Sequence, residues 1–128
     1  MQFPDPVTVA EPLSRYLLEK TKFSSENRRV KFSAFMPAND NILSVFRTCD
    51  LSKEEIIELG ETYVARPQNR TVLAYAVIVA DEFIKSGLTL TATAEPHPRH
   101  VDVEGWTESV LNKARAHVLA EIARLELK

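Results

Sequence analysis

Apolar and polar positions alternate most regularly in two neighbouring stretches. From Leu88 to Ala94, Leu88, Leu90, Ala92 and Ala94 alternate with Thr89, Thr91 and Thr93. From His100 to Glu104, Val101 and Val103 alternate with His100, Asp102 and Glu104. Successive strand side chains point to opposite faces, so both stretches predict half-buried strands. The second should present an exposed row of imidazole and carboxylates, entered through the stiff Pro96-His97-Pro98-Arg99 segment. Arg29 to Met36 also reads as a strand, followed by a turn at Pro37–Asn41 and a strand from Ile42 to Thr48. That pair predicts a hairpin with a five-residue loop. In its second strand Arg47 shares a face with Leu43 and Val45, which puts it at the sheet margin or in a pocket. Thr71 to Val79 is apolar on both faces and rich in β-branched residues, the pattern of a covered central strand. The alternative there is a buried helix running on to Lys85 with Gly87 as its cap; the strand reading leaves 80–86 as a short helical turn.

Helical spacing governs the rest. Leu13, Tyr16, Leu17 and Lys20 suggest a short helix over 13–22 behind Pro12, with a strand as the alternative. Ser52-Lys53-Glu54-Glu55 is a capping box, and Ile56, Leu59 and Tyr63 continue a helix to about Arg66, before Pro67. Gly60 within it costs about 1 kcal/mol relative to alanine, which a close approach to the sheet would explain. Thr107 is placed to cap a last helix from Glu108 to Leu125. Its stripe of Val110, Leu111, Ala114, Val118, Ile122 and Leu125 is expected to cross the sheet. Residues 1–11 hold two prolines and read as a loosely ordered arm. The fold class is α+β: one domain over 1–128, with a mainly antiparallel sheet of four to five strands packed by two main helices.

Composition narrows the setting. Over 128 residues, 45% are hydrophobic and 27% charged, which suits one globular core. The net charge of −2 gives no global attraction to nucleic acid or anionic membrane, so such binding would need a local basic patch. Cys49 is the only cysteine. A disulfide framework and a four-cysteine zinc site are therefore excluded, and a reducing, cytoplasmic compartment is expected. The N-terminus lacks the basic and apolar regions of a signal peptide, and the apolar run Val72–Ala80 is too short to span a bilayer.

Phe23-Ser24, Val30-Lys31, Ala34-Phe35-Met36-Pro37 and Leu43-Ser44-Val45-Phe46-Arg47 make one recognisable stretch, and Pro98-Arg99-His100, Gly105-Trp106 and the alanine-rich last helix make another. They resemble the front and back halves of a family of small uncharacterised bacterial proteins. The resemblance implies a bacterial or mobile-element setting. The resemblance implies no established activity, so it supplies no catalytic residues.

The residues themselves offer several chemistries. Lys31, Arg47, Arg99 and His100 form an anion site if the hairpin lies beside the Val101 strand. There Arg47 would supply a planar fork and His100 a further donor. The bland alternative pairs Arg47 with Asp102 or Glu104 at the sheet edge. His97, His100 and Asp102 resemble a two-histidine, one-carboxylate metal set only loosely, and no metal or other cofactor is expected. Three scattered glycines build no phosphate-cradling loop, and nothing surrounds Ser44 or Cys49 as a nucleophile elbow would. His117 reads as a surface residue and Trp106 as a core aromatic. Arg28-Arg29-x-Lys31 with Phe32 and Phe35 gives a nucleic-acid reading. The function expected first is a non-enzymatic binding or accessory module. It would act through a partner protein, with a phosphate-type anion site as a further feature. Second comes a small enzyme on a phosphorylated or nucleotide substrate, with His100 as acid or base. A nucleic-acid-binding module is third.

Overall fold

Alternation carries a central strand through Pro12–Leu17 (β1), where Leu13 and Leu17 point to one face and Ser14 and Tyr16 to the other. The computed structural model describes Phe3 and residues 5–128. Two short strands, β2 at Phe23–Ser24 and β3 at Arg29–Val30, pair as a separate ribbon. Next come β4 at Leu43–Arg47, α1 at Lys53–Gly60, β5 at Ala74–Val79 and α2 at Ala80–Lys85. The chain closes with β6 at Thr89–Ala92, β7 at His100–Glu104, α3 at Ser109–Ile122 and β8 at Arg124–Leu127. The main sheet runs β6-β7-β4-β1-β5-β8, and every pairing is antiparallel.

The α+β class stands; among the described residues the main sheet has six strands where four to five were expected, and three α-helices stand where two main ones were expected. The helix expected over 13–22 is β1, paired along its full length with β5. Central pairing outweighs a weak helical spacing here, because both faces of β1 are covered. The strand expected over 29–36 lasts only to Val30, and Phe32–Phe35 forms a 3₁₀ turn. The expected hairpin is therefore absent: β4 pairs with β1 and β7. Thr71–Val79 resolves towards a strand followed by a short helix, as the β-branched residues suggested.

Period two sorts the core into two layers. Leu13, Leu43, Val45, Ile78, Val101 and Val103 face one side, where Phe35, Phe83, Trp106, Leu119 and Ala116 complete the larger cluster. Tyr16, Phe46 and Tyr75 face the other, beneath Ile56 and Leu59 of α1. The capping box at Ser52 forms as its spacing predicts, with Glu55 N donating to Ser52 Oγ at 3.2 Å and Ser52 N to Glu55 Oε1 at 3.0 Å. Beyond Gly60 the helix continues as a π turn through Ala65 and a 3₁₀ turn through Gln68. A Cβ on Gly60 would lie 2.4 Å from the Tyr16 ring, so glycine lets α1 lie against β1.

The last helix departs most from its predicted orientation. Asn112, Ala116, Leu119 and Ala120 face the core, while Val110 is 79% exposed, Leu111 41%, Val118 50% and Ile122 48%. Small residues let α3 settle closely on the 3₁₀ turn at Phe32–Phe35. Leu125 is buried, but from β8, where it alternates with Arg124 and Glu126. Thr107 is not the cap; Glu108 holds that position without a side-chain bond, and Asn112 Oδ1 accepts from Thr107 N at 2.9 Å.

Candidate functional site

The predicted anion-binding residues divide into two places. Arg47 ends β4 and Arg99 precedes β7, and Arg47 N donates to Arg99 O at 2.8 Å. His100 lies one residue on, opposite Phe46. Lys31 is elsewhere: it precedes the 3₁₀ turn and lines a cleft with Arg29, Phe32 and His117 of α3. The alternation of β7 puts His100 on the α1 face of the sheet, so the sheet stands between it and the α3 layer.

Arg47 already holds an anion. Its side chain is fully buried, with Nε 2.5 Å from Glu11 Oε1 and an Nη 3.0 Å from Oε2. It also donates to the carbonyls of Asp5 and Pro6. The partner is thus Glu11, and neither Asp102 nor Glu104 takes that place. Glu11 is anchored in turn, accepting from Thr8 N at 3.1 Å, and its carbonyl accepts from Ala80 N at 2.8 Å. From Asp5 onward the N-terminal arm is tied down by these bonds. The Phe3 ring lies 4.5 Å from the Arg47 guanidinium and 4.6 Å from that of Arg99. Arg99 donates to Arg47 O at 3.0 Å and to Asp50 Oδ1 at 2.7 Å. That bond holds the Asp50 carboxyl below its usual range.

His100 is buried, at 7% exposure, so the exposed imidazole row expected of β7 does not form. Its Nδ1 lies 2.6 Å from Thr93 Oγ1, its ring packs edge-on against Phe46, and Nε2 is 3.6 Å from Asp102 Oδ1. Burial lowers the imidazole pKa, and the Asp102 carboxylate opposes the shift without cancelling it. A neutral imidazole is a poor partner for an anion, and one packed between Thr93 and Phe46 has little access to a substrate. His97 sits apart, against Tyr63, its pKa lowered by burial and then by Arg99. It borders an open cleft of about 470 Å³ with Arg99 and the acidic face of α1, Glu54, Glu55 and Glu58. Among the described residues, no group of three or more His, Cys, Asp or Glu gathers at metal-binding distance. Cys49 is exposed, yet partial desolvation of its thiol, and then the Asp50 and Glu11 carboxylates, raise its pKa, which disfavours a nucleophilic thiolate.

Other cations are handled differently. Arg15, in central β1, donates to Ala34 O at 2.9 Å and Ser44 O at 3.1 Å, and burial lowers its pKa to about 10, still protonated at neutral pH. Lys20, Lys22, Arg28, Arg29, Lys31 and Lys113 make no ion pair among the described residues. They surround the β2–β3 ribbon and the adjoining side of α3. Phe35 is in the core, whereas Phe32 stacks on His117 with ring centroids 4.3 Å apart.

The feature that sequence reasoning missed is the outward face of α3. Val110, Leu111, Ala114, Val118 and Ile122 recur at helical spacing on exposed positions. The signal was present, because a second apolar set (Ala116, Leu119, Ala120) competes with the stripe for the core. Among the described residues no helix is long and apolar enough to cross a membrane. In comparisons with known proteins, no family model, no curated protein and no solved structure matches this chain.

Proposed function

We propose that this protein is a non-enzymatic binding module of the cytoplasm. It would work by seating an amphipathic helix of a partner protein along the outward stripe of α3. One observation carries the reading: four large aliphatics of a 14-residue helix stand exposed while Asn112, Ala116, Leu119 and Ala120 pack the core. Monomeric proteins rarely expose contiguous apolar patches beyond a few hundred Å² unless something covers them. Helical spacing of the anchors suits a helical partner. Lys113 and Arg115 outnumber the exposed Glu121 along this part of α3, so the complementary helix carries acidic residues beside its apolar face. His100, buried and hydrogen-bonded, gives the enzymatic alternative no comparable support.

The test uses a labelled peptide with leucines at i, i+3, i+4 and i+7 and glutamates on both flanks. Anisotropy should rise on adding the protein, and Val118→Lys should abolish the rise without altering the melt, because Val118 is half exposed. A lysine-flanked peptide should bind more weakly. Equal binding to the Val118→Lys variant would overturn the proposal. So would a wild-type homodimer that Val118→Lys dissociates, since the stripe would then be covered by a second copy.

A further inference from the structure

The cleft between β3, the 3₁₀ turn and α3 has a volume of about 480 Å³, within the range of small-molecule sites. Two kinds of group converge on it. Arg29 and Lys31 bring positive charge, with Arg28 next in sequence and Lys113 poised 5.1 Å from the Phe32 centroid. In a chain of net charge −2, these cations have no carboxylate within ion-pair distance among the described residues. Like charges left together repel, so their grouping is unfavourable until an anion arrives. The second kind is aromatic. Phe32 is half buried and supports the His117 imidazole at an interplanar angle of 22°, while His117 itself is exposed. A planar ring backed by another, and open to solvent, is a stacking platform. Ser24, Asn27 and Glu121 complete the wall with hydrogen-bonding groups.

We infer that this cleft binds a nucleotide unit, its base stacked on His117 and its phosphate held by Arg29 and Lys31. The base supplies a flat π surface of the size the platform offers. The phosphate supplies the missing negative charge, and arginine meets it with a planar fork. Glu121 accepts from an exocyclic amine or a ribose hydroxyl. A phosphate without a base leaves the platform unused, and a nucleoside without phosphate leaves the cations unpaired. The site is separate from the outward stripe of α3 and stands or falls independently of it.

Titration with AMP, adenosine, inorganic phosphate and a five-nucleotide single strand, each followed by tryptophan fluorescence and by ring resonances of His117, tests the inference. AMP or the strand should bind at least about tenfold more tightly than adenosine or phosphate. Binding of AMP but not the strand identifies a free nucleotide; binding of the strand but not AMP identifies a nucleotide within single-stranded nucleic acid. His117→Ala and Lys31→Glu should each weaken binding about tenfold without changing the melt, and Lys31→Glu should also reduce its salt dependence. Val118→Lys should leave nucleotide binding unchanged, which separates this site from the partner surface. Absence of binding by both AMP and the strand at millimolar concentration would overturn the inference, as would phosphate binding as tightly as AMP.

Discussion

Arg47 and Arg99 lie beside the N-terminal arm, and Arg29, Lys31 and Lys113 lie beside the β2–β3 ribbon; both groups place aromatic rings among cations. Their company differs. At the arm, Glu11 and Asp50 have reached the guanidinium groups first, and Phe3 lies over both. At the ribbon no carboxylate of the described residues comes within ion-pair distance of the cations, and a cleft stays open between them and His117. Cationic residue type therefore does not identify an anion site. What matters is whether the fold has already delivered a carboxylate, because a buried guanidinium is tolerated only when paired or fully hydrogen-bonded.

The largest expected effect breaks the closed group. Arg47→Met should destabilise the protein by about 3–5 kcal/mol, since it strands the Glu11 carboxylate in the interior. The double substitution Glu11→Leu, Arg47→Met should recover much of that loss, and urea denaturation measures both. Equal losses in the single and double variants would show that Glu11 is not left as a buried charge.

Next in size is the contrast between the buried and the outward face of α3, the helix that walls the open group. Leu119→Ala should cost about 2–5 kcal/mol, the usual range for a fully buried leucine. Leu111→Ala should cost less than about 1 kcal/mol, as expected of a partly exposed site without a special role. Reversed magnitudes in the same denaturation experiment would mean that the helix is rotated.

Acid should expose a smaller difference at the closed end of the sheet. Burial lowers the pKa of His100 and of His97, so the unfolded chain takes up protons before the folded one does. Their contribution is fully present above the unfolded value near 6.5 and is lost as pH falls through the lower folded values. Asp102, whose pKa burial raises, works in the opposite sense at lower pH. Urea midpoints taken from pH 8 to pH 5 should fall, and His100→Gln should flatten the curve.

The smallest effect belongs to the open group. Lys31→Glu and Lys113→Glu should leave the low-salt midpoint unchanged or raise it slightly, by relieving repulsion. Added salt should then narrow the gap between variant and wild type. A clear loss of stability would mean that these cations have internal partners.

Local rules were legible in the sequence. Alternation identified β4, β6 and β7, the capping box fixed the start of α1, and Gly60 announced a close contact that Tyr16 supplies. Each depends on neighbours in the chain and on the period of its own element. Partnership was not legible. Glu11 and Arg47 are 36 residues apart, and nothing in their local sequence joins them. Likewise, α3 carries apolar residues on two faces; only packing against the 3₁₀ turn at Phe32–Phe35 selected the face with the smaller side chains. The sequence by itself determined the α+β class, the main alternating strands and the supply of cations. Tertiary structure decided which face of each strand was covered, which cations met a carboxylate and which apolar stripe was left outside. The physical reason is range: periodicity and capping act within a few residues, whereas desolvation and ion pairing depend on whatever the rest of the fold brings within a few ångströms.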